Sequence, residues 1–143
     1  MTYQYLDDFS IADVAFSAEG KSLEELFQEA GDATMNTMVE NLGEIRENTK
    51  KRCTLFSRSL EMLLFDLLQE LIFYKDAEQL LLRVKNPTVE KTGDGFTLHC
   101  TLSGERIDSE RHTLIVDVKA VTLSHFSVEK TAKGYRARVV LDV

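Results

Sequence analysis

The chain is expected to fold as an α+β protein, with two helices packed on a curved, mainly antiparallel β-sheet, and three observations predict this. Two short alternating segments are each followed by a run with helical spacing, and from Leu80 onward the pattern is β almost to the end. The order strand, helix, strand, helix, then several strands also reads as two fused and elaborated strand–helix–strand units. Helices laid on one face of an antiparallel sheet satisfy it. With 143 residues, 43% hydrophobic and 29% charged, one domain over residues 1–143 is expected to bury its own core.

Each element has a local cause. Over Ile11 to Ala18, the residues Ala12, Val14, Phe16 and Ala18 share one face and Asp13 points to the other, so a strand is expected there, closed by Gly20. Ser22 to Glu25, SLEE, is a capping box, and the helix it opens runs to about Val39 with Leu26, Phe27, Ala30, Thr34 and Met38 turned inward. After a polar connection, Lys50 to Phe56 returns as a strand. Ser57 or Ser59 then caps a second helix that is apolar on most sides, with Asp66 and Glu70 on its one polar face.

In the β-rich half, Pro87 requires an edge or a bulge between Leu80 to Asn86 and Thr88 to Lys91. TGDG at Thr92 to Gly95 predicts a hairpin turn into Phe96 to Ser103. A polar loop, Gly104 to His112, comes next. Strands are expected over Thr113 to Thr122, Phe126 to Lys130 and Tyr135 to Val143, the last entered by a turn at Ala132 to Gly134.

Composition narrows the function. A net charge of −7, from 24 acidic and 17 basic residues, argues against a surface built to neutralise phosphates, so no direct nucleic-acid binding is expected. The longest apolar run, Leu60 to Tyr74, is too short and too interrupted by acids to span a bilayer, and MTYQYLDD is no secretory signal. A cytoplasmic protein is expected. Cys53 and Cys100 lack metal spacing and read as reduced, packed thiols.

No phosphate-cradling loop, nucleophile elbow or zinc-binding helix signature occurs, and three histidines without paired cysteines argue against zinc. An all-oxygen site for a hard cation such as calcium is the better chemical expectation, since strands can bring its ligands together without a contiguous motif. Its candidates are Asp13, Asp142 and the main chain or terminal carboxylate of Val143. From pattern alone, each acid reads more readily as a rim residue in water. Asp66 interrupts a nearly all-apolar helix, Asp108 and His112 lie in a mixed-sign loop, and Lys119 is a cation within a β run. Each of these has an equally simple reading as a solvated or packed side chain. A metal-dependent hydrolase or phosphotransfer enzyme using Asp13 and Asp142 is the alternative reading, but it has no evident nucleophile or general base.

Four stretches together resemble the archease family: ADVAFSAEGKSLEELF, LLFDLLQELIF, GERIDSERHTLIVDVKAVT and YRARVVLDV, in that order and over nearly the whole chain. The resemblance implies a non-catalytic, metal-binding protein cofactor of a tRNA-splicing RNA ligase, promoting the ligase's guanylylation and multiple turnover. It carries the family's metal-binding acids onto Asp13 and Asp142, with Val143, and implies a calcium-type site. Asp66, Asp108, His112 and Lys119 fall in matching segments as supporting or partner-facing candidates. Ser10 and Ile11 stand where the family usually has His-Thr, and Leu123 and Ser124 stand where a Tyr-His pair is usual.

Overall fold

The computed structural model of the chain describes residues 2–6 and 13–143. Its strands are β1 (Thr2–Leu6), β2 (Asp13–Gly20), β3 (Thr49–Ser57), β4 (Leu80–Thr92), β5 (Gly95–Arg106), β6 (Ala120–Lys130) and β7 (Tyr135–Asp142). The helices are α1 (Leu23–Met38) and α2 (Leu60–Glu78). The α+β class is as expected, and the strands divide into two antiparallel sheets, ordered β1-β2-β7-β6 and β3-β5-β4. Alternation in sequence fixes which face a residue occupies and carries no information about neighbours. The division arises because β2 takes β1 and β7 on its two edges, while β5 takes β3 and β4.

Both helices touch strands of both sheets, so one core is shared between them. Ser22 accepts the Glu25 amide and starts α1, and Ser59 accepts the Met62 amide and starts α2. α1 turns Leu26, Phe27, Ala30 and Met38 onto Phe16 and Ala18 of β2, and α2 buries Leu63, Leu64, Leu67, Leu68, Leu71 and Ile72. Asp32 on α1 holds Arg83 of β4 by a two-pronged contact, 3.1 Å at each prong. At the front of the first sheet, the Tyr5 hydroxyl donates to the Ala33 carbonyl at 2.9 Å. No helix among the described residues is long and apolar enough to cross a membrane.

Pro87 sits where expected, on the edge strand β4 at a break in register between Lys85 and Thr88, with Asn86 in the left-handed region at φ 51°. Three stretches differ from expectation. β1 was not anticipated. β5 runs on to Arg106 instead of ending at Ser103, because Gly104 lets the backbone of β4 come so close that a Cβ there would lie 1.7 Å from the Leu81 carbonyl oxygen. The strand expected from Thr113 begins only at Ala120. Upstream of it, the chain is instead tied to the end of α1, through Glu40 N–H to the Thr113 carbonyl and Ile115 N–H to the Met38 carbonyl. From Ala120 it continues through to Lys130 as one strand with a register irregularity between Thr122 and Ser127.

The mixed-sign loop after β5 is held by a buried acid. Glu105 Oε2 accepts the Arg46 amide at 2.7 Å and faces His112 Nε2 at 3.0 Å, while Oε1 takes the Arg111 guanidinium. His112 Nδ1 accepts the Asp108 amide at 2.9 Å, which assigns the ring proton to Nε2 and directs it at Glu105. Burial pushes the Glu105 carboxyl pKa up, but the Arg46 amide, Arg111 and His112 outweigh it and hold the group at about 2, below its ordinary 4.5.

A depressed carboxylate pKa contributes stability that is complete above about 4.5 and is lost as pH falls towards about 2. Denaturant unfolding of the wild type is therefore expected to lose stability across that window. Glu105→Gln is expected to cost on the order of 3 kcal/mol at pH 7, since it leaves Arg111 without its buried partner, and to show a flatter acid limb.

Candidate functional site

β2 and β7 run antiparallel over their full lengths, and their register sets Asp13 directly opposite Asp142. Opposed residues of neighbouring strands project to the same side of a sheet, with Cα atoms about 4.5–5.5 Å apart. The core side of these strands is filled by Phe16, Ala18, Ala137, Val139 and Leu141, so both carboxylates project from the outer face, where each is half-buried. Ala120 of β6 lies on the far side of Asp142 in the same row. Residues from the two ends of the chain and from β6 thus form one line across three strands.

The main chain around Asp142 is fixed by the segment before β6. The Lys119 amide donates to the Asp142 carbonyl at 2.8 Å, while the Lys119 side chain is exposed. Val143 follows directly, half-buried and packed against the core. One row along the same face, about 7 Å by strand rise, lie Ala15, Val140 and Thr122. The Thr122 hydroxyl is buried and has no hydrogen-bond partner among the described residues, an unusual state for an interior oxygen.

The donors at hand are carboxylate, hydroxyl and main-chain oxygens, the set that hard cations such as calcium take and that zinc or copper sites seldom use. Among the described residues no group of three or more His, Cys, Asp and Glu side chains is arranged to hold a metal, so an ion here would have to draw on the two acids plus hydroxyl and main-chain oxygens. In kind, these donors fit a hard cation.

The other expected residues lie in different surroundings. Asp66 is half-buried on α2, no hydrogen bond or ion pair among the described residues reaches its carboxylate, and burial raises its pKa. Asp108 and His112 belong to the Glu105 lock, with Asp108 Oδ1 accepting the Glu110 amide at 3.0 Å and His112 buried. Ser10, Ile11 and Ala12 lie outside the described residues. Ser124 is exposed beside His125, its hydroxyl 3.0 Å from Nδ1.

Two features were not anticipated. Lys75, an ordinary position in the helical pattern, is buried with its ammonium on Asp117 Oδ1 and Asp76 Oδ1 at 2.5 Å each and on the Val118 carbonyl at 2.7 Å. Burial lowers its pKa, but the two aspartates outweigh this and raise it. Beside it, Leu114, Ile115 and Val116 are all exposed and border a cavity of about 190 Å³ lined also by Met38, Leu81 and Ile107. Three consecutive apolar residues that cannot all face one side of a strand were the signal for it.

Comparison with known proteins agrees with the fold. The model of the archease protein family (MTH1598/TM1083) matches residues 3–143. A protein archease of Archaeoglobus fulgidus is 35% identical over 144 residues, covering 100% of both chains, and one of Methanosarcina acetivorans is 31% identical over 99% of this chain and 95% of its own. The solution structure of protein 1598 of Methanobacterium thermoautotrophicum superposes with a TM-score of 0.80 at 30% identity, covering 99% of this chain and 98% of that one. An archease of Thermotoga maritima, described as a possible chaperone, shares the fold at a TM-score of 0.61 and 20% identity over 94% of this chain and 93% of its own. A match that runs unbroken from β1 to the last residue of the chain makes this protein a member of the archease family.

Proposed function

We propose that this protein is a cytoplasmic, metal-binding accessory protein that activates a tRNA-splicing RNA ligase, promoting its guanylylation and multiple turnover, and that it catalyses no reaction alone. The observation that supports this reading is the β2–β7 register, which sets Asp13 and Asp142 opposite each other on an outward face. Carboxylates so placed repel, and a divalent cation, calcium above others, offsets that repulsion. Asp13, Asp142 and the main chain at Val143 would hold it. When bound, the ion supplies a Lewis-acid centre to which phosphate oxygens can bind.

The chain's own residues do the remaining work. The Lys119 amide fixes the Asp142 main chain, so the acid pair keeps its position when a partner approaches. The excess of acids, 24 against 17 basic residues, suits docking on the basic surface of an RNA-handling enzyme and disfavours competition for its RNA. The exposed Leu114 to Val116 segment leads directly into Lys119 and offers an apolar contact beside the acids.

Calorimetric titration with calcium is expected to show one site in the wild type and at least about a tenfold loss of affinity in Asp13→Asn and in Asp142→Asn. Unchanged affinity in both would remove the metal site from the reading. Asp66→Asn is expected to keep the affinity. Its Tm at pH 7 should stay equal or rise, because burial penalises the ionised carboxylate above its unfolded pKa more than it penalises the neutral amide. Added to a stalled tRNA-splicing ligase with GTP and metal, the wild type is expected to restore repeated turnover, and the two acid variants are expected not to. No gain with the wild type would count against the accessory role itself.

A further inference from the structure

β3 and β5 pair so that Cys53 lies directly opposite Cys100. Both are free thiols, and both are buried on the core side of the three-stranded sheet, at 7% and 8% exposure. The Cα spacing of opposed residues, about 4.5–5.5 Å, falls within the span that a disulfide bridges. Opposed side chains of neighbouring strands project to the same side of the sheet, so the two thiols stand next to one another.

The pair is also chemically unequal. The neighbouring Cys100 thiol draws the Cys53 thiol down against the opposing effects of burial and of Glu70. The same pairing, with burial, pushes Cys100 up. Cys53 is therefore the readier thiolate, and it lies on an edge strand of its sheet while Cys100 lies on the central one. An attacking and a resolving thiol are thus placed opposite one another on neighbouring strands.

We infer that Cys53 and Cys100 form a reversible dithiol–disulfide site that responds to hydroperoxides. The Cys53 thiolate attacks one peroxide oxygen, the O–O bond breaks, and hydroxide leaves and takes up a proton, so the sulfur becomes a sulfenic acid as the peroxide is reduced. The Cys100 sulfur then attacks the Cys53 sulfur. The S–S bond forms, the S–O bond breaks, and the departing hydroxide takes the Cys100 proton as water. In sum two thiols and one peroxide give one disulfide and two waters, and a small dithiol returns both hydrogens. The closed loop encloses the whole of α2 and β4, so the oxidised form is fastened across the three-stranded sheet.

Treating the reduced, folded protein with hydrogen peroxide and mapping peptides without reductant is expected to yield a Cys53–Cys100 crosslink with the loss of two hydrogens. Tm should rise by roughly 10 °C, reversed by dithiothreitol, as closure of a loop of this length implies. Cys100→Ser is expected to accumulate dimedone-reactive sulfenic acid at Cys53 with no change in Tm, and Cys53→Ala to react far more slowly. Thiols that react only after denaturation would overturn the inference, as would crosslinks only between chains, or a Cys100→Ser variant without sulfenic acid at Cys53. All these readouts are independent of metal binding and of any ligase.

Discussion

The antiparallel pairing of β2 with β7 is the interaction on which the rest depends. Along eight register positions it sends Phe16, Ala18, Ala137, Val139 and Leu141 inward and Asp13 and Asp142 outward. The inward set gives α1 a surface to cover, and the outward set gives the protein its charged row. Because the side-chain period of a strand is two residues, a slip of one would exchange these roles, placing carboxylates in the core and Phe16 in water. Burial of that apolar set thus enforces the placement of the acids. Core formation and site formation are one event.

A second constraint comes from charges taken out of water. Glu105 and Lys75 are both buried, and each is met by several partners, at least one of them distant in the chain. Such groups contribute little net energy relative to an apolar core, but they penalise any arrangement in which a partner is missing. Glu105 ties the chain after β5 to the segment before β3, and Lys75 ties α2 to the segment before β6. Between them they determine the course of a stretch that has few ladder hydrogen bonds of its own, and so determine where Lys119 meets Asp142.

Much of this was legible from residues alone. The two serine caps, the inward stripe of α1, the nearly all-apolar α2 and the bulge at Pro87 each follow from local chemistry, and each is where that chemistry puts it. The outward orientation of Asp13 and Asp142 was legible too, from alternation. Their adjacency was not, since a strand's pattern is silent about its neighbour; the chemistry of an oxygen site and the family resemblance could only suggest it. The burial of Glu105 was hidden because a loop of mixed charges normally faces water; its partners lie six and seven residues downstream and far upstream at Arg46. β1 was overlooked although Tyr3 and Tyr5 alternate with polar residues in the manner of a strand. The strand expected from Thr113 does not begin there because that backbone hydrogen-bonds to the end of α1 instead.

The pairing of β2 with β7 also bears on how the molecule comes into being. β2 is synthesised well before β7, so until β7 emerges only β1 can pair with it in its sheet. Contacts between residues far apart in sequence are slow to form. Until that pairing forms, Asp13 has no Asp142 opposite it and α1 lacks part of the surface it covers, so the acid row and the core are completed together.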